Sequence, residues 1–177
     1  MSALPTLVPC TYERHASAIL AIFNEAIQNS TALYDYAPRP LSSMVAWFDN
    51  KRNGQFPVMG LEAPDGQLLA FGSYGTFRAW PAYKYTVEHS VYVHHAHRGK
   101  GLGREVMRAL IEQAQQHQMH AMIGAIDATN LASRALHESL GFQLVGTLPQ
   151  VGFKFGRWLD LVLYQRTLQT PYVPVDG

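Results

Sequence analysis

Arg98-Gly99-Lys100-Gly101-Leu102-Gly103 is the stretch on which the reading of this chain turns. It follows an alternating run, Tyr85 to Val93, that sets Val87, His89, Val91 and Val93 on one face and Glu88, Ser90 and Tyr92 on the other, the period of a strand. After it, Gly101 to His117 carries Val106, Leu110 and Ile111 along one stripe, the period of a helix. Glycines at such a junction leave backbone N–H groups uncovered, and the helix start adds partial positive charge, so the turn suits a pyrophosphate. Arg98 and Lys100 reinforce that charge. The glycine spacing matches neither the P-loop, which closes on Gly-Lys-Ser/Thr, nor the dinucleotide fingerprint. A nucleotide-like cofactor held by backbone is the expectation.

Working outward toward the N-terminus, Thr11 is placed to cap a helix with Ala18, Ile19, Ile22, Phe23, Ala26 and Ile27 on one stripe, ending by Asn29 or Ser30. Ser42 is expected to cap a second helix through Val45, Trp47 and Phe48 that stops near Asn53-Gly54. Phe56 to Glu62 and Gln67 to Gly75 read as a hairpin around Ala63-Pro64-Asp65-Gly66. Toward the C-terminus come a short strand, Ala121 to Ile126, a helix from about Asn130 to Leu140 closed by Gly141, and strands around Phe142 to Val145 and Trp158 to Gln165. Strands first, then alternating strands and helices, predict an α/β (α+β) fold with a mixed central β-sheet flanked by helices.

The 177 residues fit one domain, expected over 1–170, with a Pro-containing tail at 171–177. A net charge of +1 gives no field for a polyanion, so neither nucleic acid nor an anionic membrane is an expected partner. The single cysteine, Cys10, cannot form an internal disulfide. Met1-Ser2-Ala3-Leu4-Pro5 lacks the basic and apolar regions of a secretory signal, and no apolar run reaches the roughly 20 residues that span a bilayer. A cytoplasmic location is therefore expected.

Arg-x-x-Gly-x-Gly after a strand resembles the pyrophosphate-binding signature of the GNAT superfamily, and Asn130, Ser133, Leu136 and Gly141-Phe142 resemble its following helix. Three longer strings are similar to segments of the phosphinothricin and methionine sulfoximine N-acetyltransferase family: Thr86-Val87-Glu88-His89-Ser90-Val91-Tyr92-Val93, Leu136-His137-Glu138-Ser139-Leu140-Gly141-Phe142 and Lys154-Phe155-Gly156-Arg157-Trp158-Leu159-Asp160. The resemblance implies a GNAT fold using acetyl-CoA as co-substrate, without a metal. It implies that the backbone of Val91, Tyr92 and Val93 binds the pantetheine arm and that Gly99, Lys100, Gly101, Leu102, Gly103 and Arg104 hold the pyrophosphate. Asn130 then contacts pantetheine, and Arg78, Ala79, Trp80, Glu88, His89 and Ser90 line the site of a small amino-acid-like acceptor. A homodimer is also implied, with Lys154 to Trp158 contributing to a site shared between chains.

The chemistry can be set out independently. An ammonium has no lone pair, so acetyl transfer needs a base for the amine and a proton for the departing thiolate. Glu88, beside the strand segment assigned to the cofactor, suits the first task. His137, two helical turns beyond Asn130, stands where many GNAT enzymes carry tyrosine; an imidazole titrating near about 6.5 can give or take a proton. Acetylation of a protein N-terminus or another amine, and a noncatalytic acyl-CoA-binding sensor, are the alternatives. His94, His95 and His97 lack a Cys or carboxylate at ligand spacing and do not read as a metal site. The aromatic string Tyr74, Phe77, Trp80, Tyr83 and Tyr85 lacks the basic excess of a single-strand binder and reads as core and pocket wall.

Overall fold

Seven strands and four helices follow one another in the order β1 (Thr6–Pro9), α1 (Tyr12–Asn29), α2 (Ser43–Asn53), β2 (Val58–Glu62), β3 (Leu68–Thr76), β4 (Thr86–Val93), α3 (Leu102–Gln116), β5 (Ala121–Asp127), α4 (Leu131–Ser139), β6 (Gln143–Lys154) and β7 (Arg157–Thr167) in a computed structural model that describes residues 4–176. Met1 to Ala3, the start of the stretch read for a secretory signal, and Gly177 of the expected tail lie outside the described residues. The strand order is β1-β2-β3-β4-β5-β7-β6. The sheet is mixed: β1 with β2, β2 with β3, β5 with β7 and β6 with β7 are antiparallel, and β4 with β5 is parallel. The mixed sheet is therefore as expected from the strand and helix series. Among the described residues no helix is long and apolar enough to cross a membrane.

The described residues fall into two compact units interleaved in sequence. One holds the chain up to Tyr74 together with Ser90–Leu110; the other holds Gly75–His89 and the chain from Ile111 onward.

In the first unit the α1 stripe folds as its spacing predicts. Ile19, Ile22, Phe23, Ala26 and Ile27 are buried, and the Thr11 side chain accepts a hydrogen bond from Arg14 N, capping the helix. Met44 and Phe48 of α2 join Ile19, Phe23, Val58, Leu68 and Phe71 in one apolar cluster. Each large side chain so buried is worth about 1.5–3 kcal/mol. Trp47, half-buried, meets Phe23, Phe48 and Phe71 edge-on. The expected cap of α2 differs. Ser42 is in a helical conformation and makes no side-chain cap, whereas Ser43 Oγ donates to Pro40 O at 2.7 Å. The β2–β3 turn closes with Ala63 N donating to Gln67 O and Gly66 N to Ala63 O.

In the second unit β6 runs to Lys154, well past the expected Val145. Gly146, Pro149 and Gly152 argue against a continuous strand, but β6 lies at the end of the strand order, where an edge tolerates proline. Its pairing with β7 shifts register between Leu144 and Gly146 and again between Leu148 and Gly152, which absorbs them. Phe155 and Gly156, both at positive φ, make the two-residue turn into β7.

Candidate active site

In the second unit the parallel pairing of β4 with β5 sets Glu88 opposite Ile123 and His89 opposite Gly124. Strand alternation sends the Glu88 and His89 side chains to opposite faces. Glu88 is half-buried, and burial raises its carboxyl above the ordinary value of 4.5 while the positive charge of Arg78 opposes the rise. A carboxylate raised in this way is a stronger base than one in water. Arg78 is exposed; its guanidinium donates to Phe77 O at 2.8 Å and lies 4.3 Å from the Phe77 ring centre. Ala79 is exposed, and Trp80 is 76% exposed.

His89, expected among acceptor-site residues, is buried, with its ring against His137 of helix α4. Its Nε2 lies 3.1 Å from Nε2 of His137, and the two rings stack with centres 5.0 Å apart. Nδ1 of His137 donates to the Ser133 carbonyl at 2.6 Å. Both ring nitrogens of His137 are thus engaged, and for its Nε2 to serve a thiolate the bond to His89 must open. Burial lowers His137 from its ordinary value, and burial with the neighbouring His137 lowers His89. The pair is neutral at pH 7. Phe142 meets both rings edge-on. Asn130 is exposed and caps α4, its Oδ1 accepting from Ser133 N at 3.1 Å.

The glycine turn lies in the first unit. Gly99 and Gly101 take φ of 77° and 80°, left-handed values that favour glycine, and beyond each glycine and its two chain neighbours no atom lies within 4 Å of where a Cβ would stand. The backbone there is open to a ligand, as a pyrophosphate cradle requires. Gly103 lies in the first turn of α3. Arg98 forms an ion pair with Glu25 at 2.5 Å, and Lys100 Nζ lies 3.4 Å from His97 Nδ1. Val91, Tyr92 and Val93 are half-buried in β4, with the Tyr92 ring stacked on Phe71. His94 stacks on His95 and lies near His97, yet among the described residues no group of three or more His, Cys, Asp or Glu is arranged for a metal ion.

Sequence reasoning missed the histidine pair and Gly124. A signal existed: a glycine inside the apolar strand Ala121 to Ile126 marks a close approach of something to the backbone.

A mixed sheet with an open glycine turn leading into a helix defines a class, and the chain belongs to the acetyltransferase (GNAT) family, whose sequence profile matches residues 20–142. Membership makes it an N-acetyltransferase. Within the family it is 45% identical over 150 residues to the L-methionine sulfoximine/L-methionine sulfone acetyltransferase of Pseudomonas aeruginosa, covering 85% of this chain and 87% of that one. A solved structure of a candidate acetyltransferase from Acinetobacter baylyi ADP1 superposes with TM-score 0.97 at 56% identity, covering 98% of this chain and 97% of that chain. The phosphinothricin acetyltransferase of Sinorhizobium meliloti, solved in complex with acetyl-CoA, superposes with TM-score 0.92 at 29% identity, covering 97% and 93%.

Proposed function

We propose that this protein transfers the acetyl group of acetyl-CoA to the α-amine of small amino-acid-like substrates such as methionine sulfoximine or phosphinothricin. The observation that carries the chemistry is Glu88, a half-buried carboxylate whose basicity is raised by burial and which feels the charge of Arg78. The acceptor class rests on the 45% identity to a methionine sulfoximine/sulfone acetyltransferase.

In this reading Glu88 takes a proton from the ammonium, directly or through a water, and frees the lone pair that attacks the thioester carbonyl. The tetrahedral intermediate collapses to the amide, the nitrogen loses its second proton, and the thiolate leaves to be protonated. No acyl-enzyme forms. His137 is the proposed second proton-handling group, acting once its bond to His89 opens. Gly99, Lys100, Gly101, Leu102, Gly103 and Arg104 hold the pyrophosphate, a role supported by the open backbone at Gly99 and Gly101. The backbone of Val91, Tyr92 and Val93 takes up pantetheine as an added strand, and Asn130 contacts it. Arg78, Ala79, Trp80, Glu88, His89 and Ser90 are assigned to the acceptor site, His89 from its buried place on the opposite face of Glu88's strand; Arg78 suits the acceptor's carboxylate through paired hydrogen bonds.

A single acetyltransferase domain over 1–170, a tail at 171–177 and a cytoplasmic location complete the proposal. It also includes a homodimer, supported by exposed apolar side chains on the β6–β7 hairpin, among them Val145, Val151, Phe155 and Trp158. Neither a metal nor a nucleic-acid or membrane partner is part of the reading.

The test is an acceptor screen with acetyl-CoA, read by thiol release, across methionine sulfoximine, phosphinothricin, plain amino acids and short peptides. Turnover concentrated on the first two is the expected result. Preference for peptides would replace the small acceptor with a protein N-terminus, and acetyl-CoA binding without thiol release on any acceptor would make the chain a noncatalytic sensor.

A further inference from the structure

The histidine pair has a direction. The Ser133 carbonyl can only accept, so Nδ1 of His137, 2.6 Å away, carries a proton. In a neutral ring Nε2 is then a lone pair. That lone pair lies 3.1 Å from Nε2 of His89, so the proton between the two rings belongs to His89. His89 is in turn left with a bare Nδ1, and that atom is buried without a hydrogen-bond partner. His89 is only 7% exposed, so its ring has little room to turn over and exchange the two nitrogens.

The neighbouring strand makes room for this arrangement. Gly124 is paired across the ladder with His89, and a Cβ built there would stand 2.8 Å from Nε2 of both His89 and His137. No real Cβ sits so close to a backing of two packed rings. The other neighbours are committed elsewhere or apolar. Phe142 presents its edge to both imidazoles. Tyr164 of β7 lies 5.9 Å from the His137 ring centre; its hydroxyl donates to Glu138 Oε1 at 2.6 Å and accepts from Arg134 Nε at 3.2 Å.

We propose that His89 is a positioning residue that donates its Nε2 proton to His137, fixing the tautomer of both rings, and that Gly124 is glycine because the pair fills the space of any side chain. A donor aimed at the lone pair of His137 favours its neutral form. The nitrogen of the pair without a bond is His89 Nδ1. An added proton therefore enters there, and the bridging proton passes from His89 Nε2 to His137 Nε2. The protonation state of His137 is thus controlled from the strand that also carries Glu88.

The pairing itself does not depend on the acetyltransferase reading and is tested without substrate, by nitrogen-15 and carbon-13 NMR of the full-length protein labelled at histidine. At pH 7.5 His89 should carry its proton on Nε2 and His137 on Nδ1; a proton on Nε2 of neutral His137 would overturn the proposal. His89→Gln keeps an N–H donor near the Nε2 position, whereas His89→Leu removes it. Titration of His137 should stay low in His89→Gln and move up in His89→Leu, which keeps the burial but loses the donor; equal shifts in the two variants would sink the idea. The wild-type spectrum decides the tautomers even if His89→Leu does not fold, and Gly124→Ala should abolish the Nε2–Nε2 coupling. The kinetic arm does rest on the proposed function: the acidic limb of kcat/KM for methionine sulfoximine should follow the His137 titration in His89→Leu and be restored in His89→Gln. Identical limbs in all three proteins would remove the pair from the reaction. Wild type that never turns over would instead count against the functional reading and leave the tautomer result intact.

Discussion

Glu62 and Glu88 are both strand glutamates drawn into the protein, and they are held in opposite ways. Glu62, at the end of β2, is buried with each oxygen accounted for: His15 Nε2 lies 2.9 Å from Oε1 and Arg14 donates to Oε2 at 2.6 Å. The His15 ring is oriented in its turn by the Thr11 N–H, which donates to Nδ1 at 2.9 Å. Nδ1 is therefore the acceptor, and Nε2 carries the proton given to Glu62. Glu88 has the charge of Arg78 nearby but is dominated by burial, which works against its ionised form. One carboxylate has both oxygens bonded by its neighbours, and the other is kept reactive at a cost to the fold. That difference separates a structural acid from a candidate base better than burial does, since the more buried of the two is the structural one.

The largest expected effect is on catalysis. Glu88→Gln should lower turnover by about a hundredfold or more, while Glu62→Gln, measured per folded molecule, should leave it near wild type. Comparable losses in both variants would erase the distinction. Stability should change with the opposite sign. In chemical denaturation at pH 7, Glu62→Gln should lose about 1–3 kcal/mol, because His15 and Arg14 donate to separate oxygens and the amide sets an NH2 donor against one of them. Glu88→Gln should gain stability. Its folded pKa lies above the unfolded 4.5, so the fold takes a penalty as pH rises through that interval and carries it at pH 7, and the amide removes it.

The two kinds of buried histidine sharpen the same contrast. His89 and His137 have folded pKa values below the unfolded 6.5, so the unfolded chain binds more protons as pH falls past 6.5 and stability declines with it. Each such group contributes at most about 1.4 kcal/mol per pH unit. Denaturation midpoints measured from pH 7.5 to 5.5 should fall, and fall less steeply in His89→Gln; an unchanged slope would mean that the pair does not resist protonation. The smallest effect is expected from Arg78→Ala. The Michaelis constant for methionine sulfoximine should rise by about tenfold or less with little change for acetyl-CoA, and the acidic limb should move up because Glu88 loses a nearby positive charge. Equal changes toward both substrates would remove Arg78 from the acceptor site.

The periodic parts of this fold were legible in the sequence because one physical cause governs each. The α1 stripe, the Pro64-Asp65-Gly66 turn and the Gly99–Gly101 junction are local patterns, and local chemistry fixes them. The length of β6 was not legible, because Pro149 and two glycines are tolerated only by virtue of an edge position and two register shifts that arise from pairing with β7. Glu88 stood out by its place before the segment proposed to bind the cofactor, but its raised basicity comes from burial, which no spacing reveals. His137 was found by its place on α4, but its histidine partner was not. That partner lies 48 residues away on strand β4, and only the tertiary structure brings the two rings together.

The tryptophans give this protein an optical asymmetry. Trp47, half-buried among Phe23, Phe48 and Phe71, belongs to the first unit, while Trp80 and Trp158, 76% and 60% exposed, belong to the second. Exposed indoles already emit from a watery environment and change colour little when the chain opens. The spectral shift on unfolding therefore comes mainly from Trp47, and with Trp80 and Arg78 in their proposed acceptor role, intensity changes at Trp80 are a separate channel for acceptor binding. A fluorimeter can follow unfolding and the proposed acceptor binding in the same cuvette, without any label added.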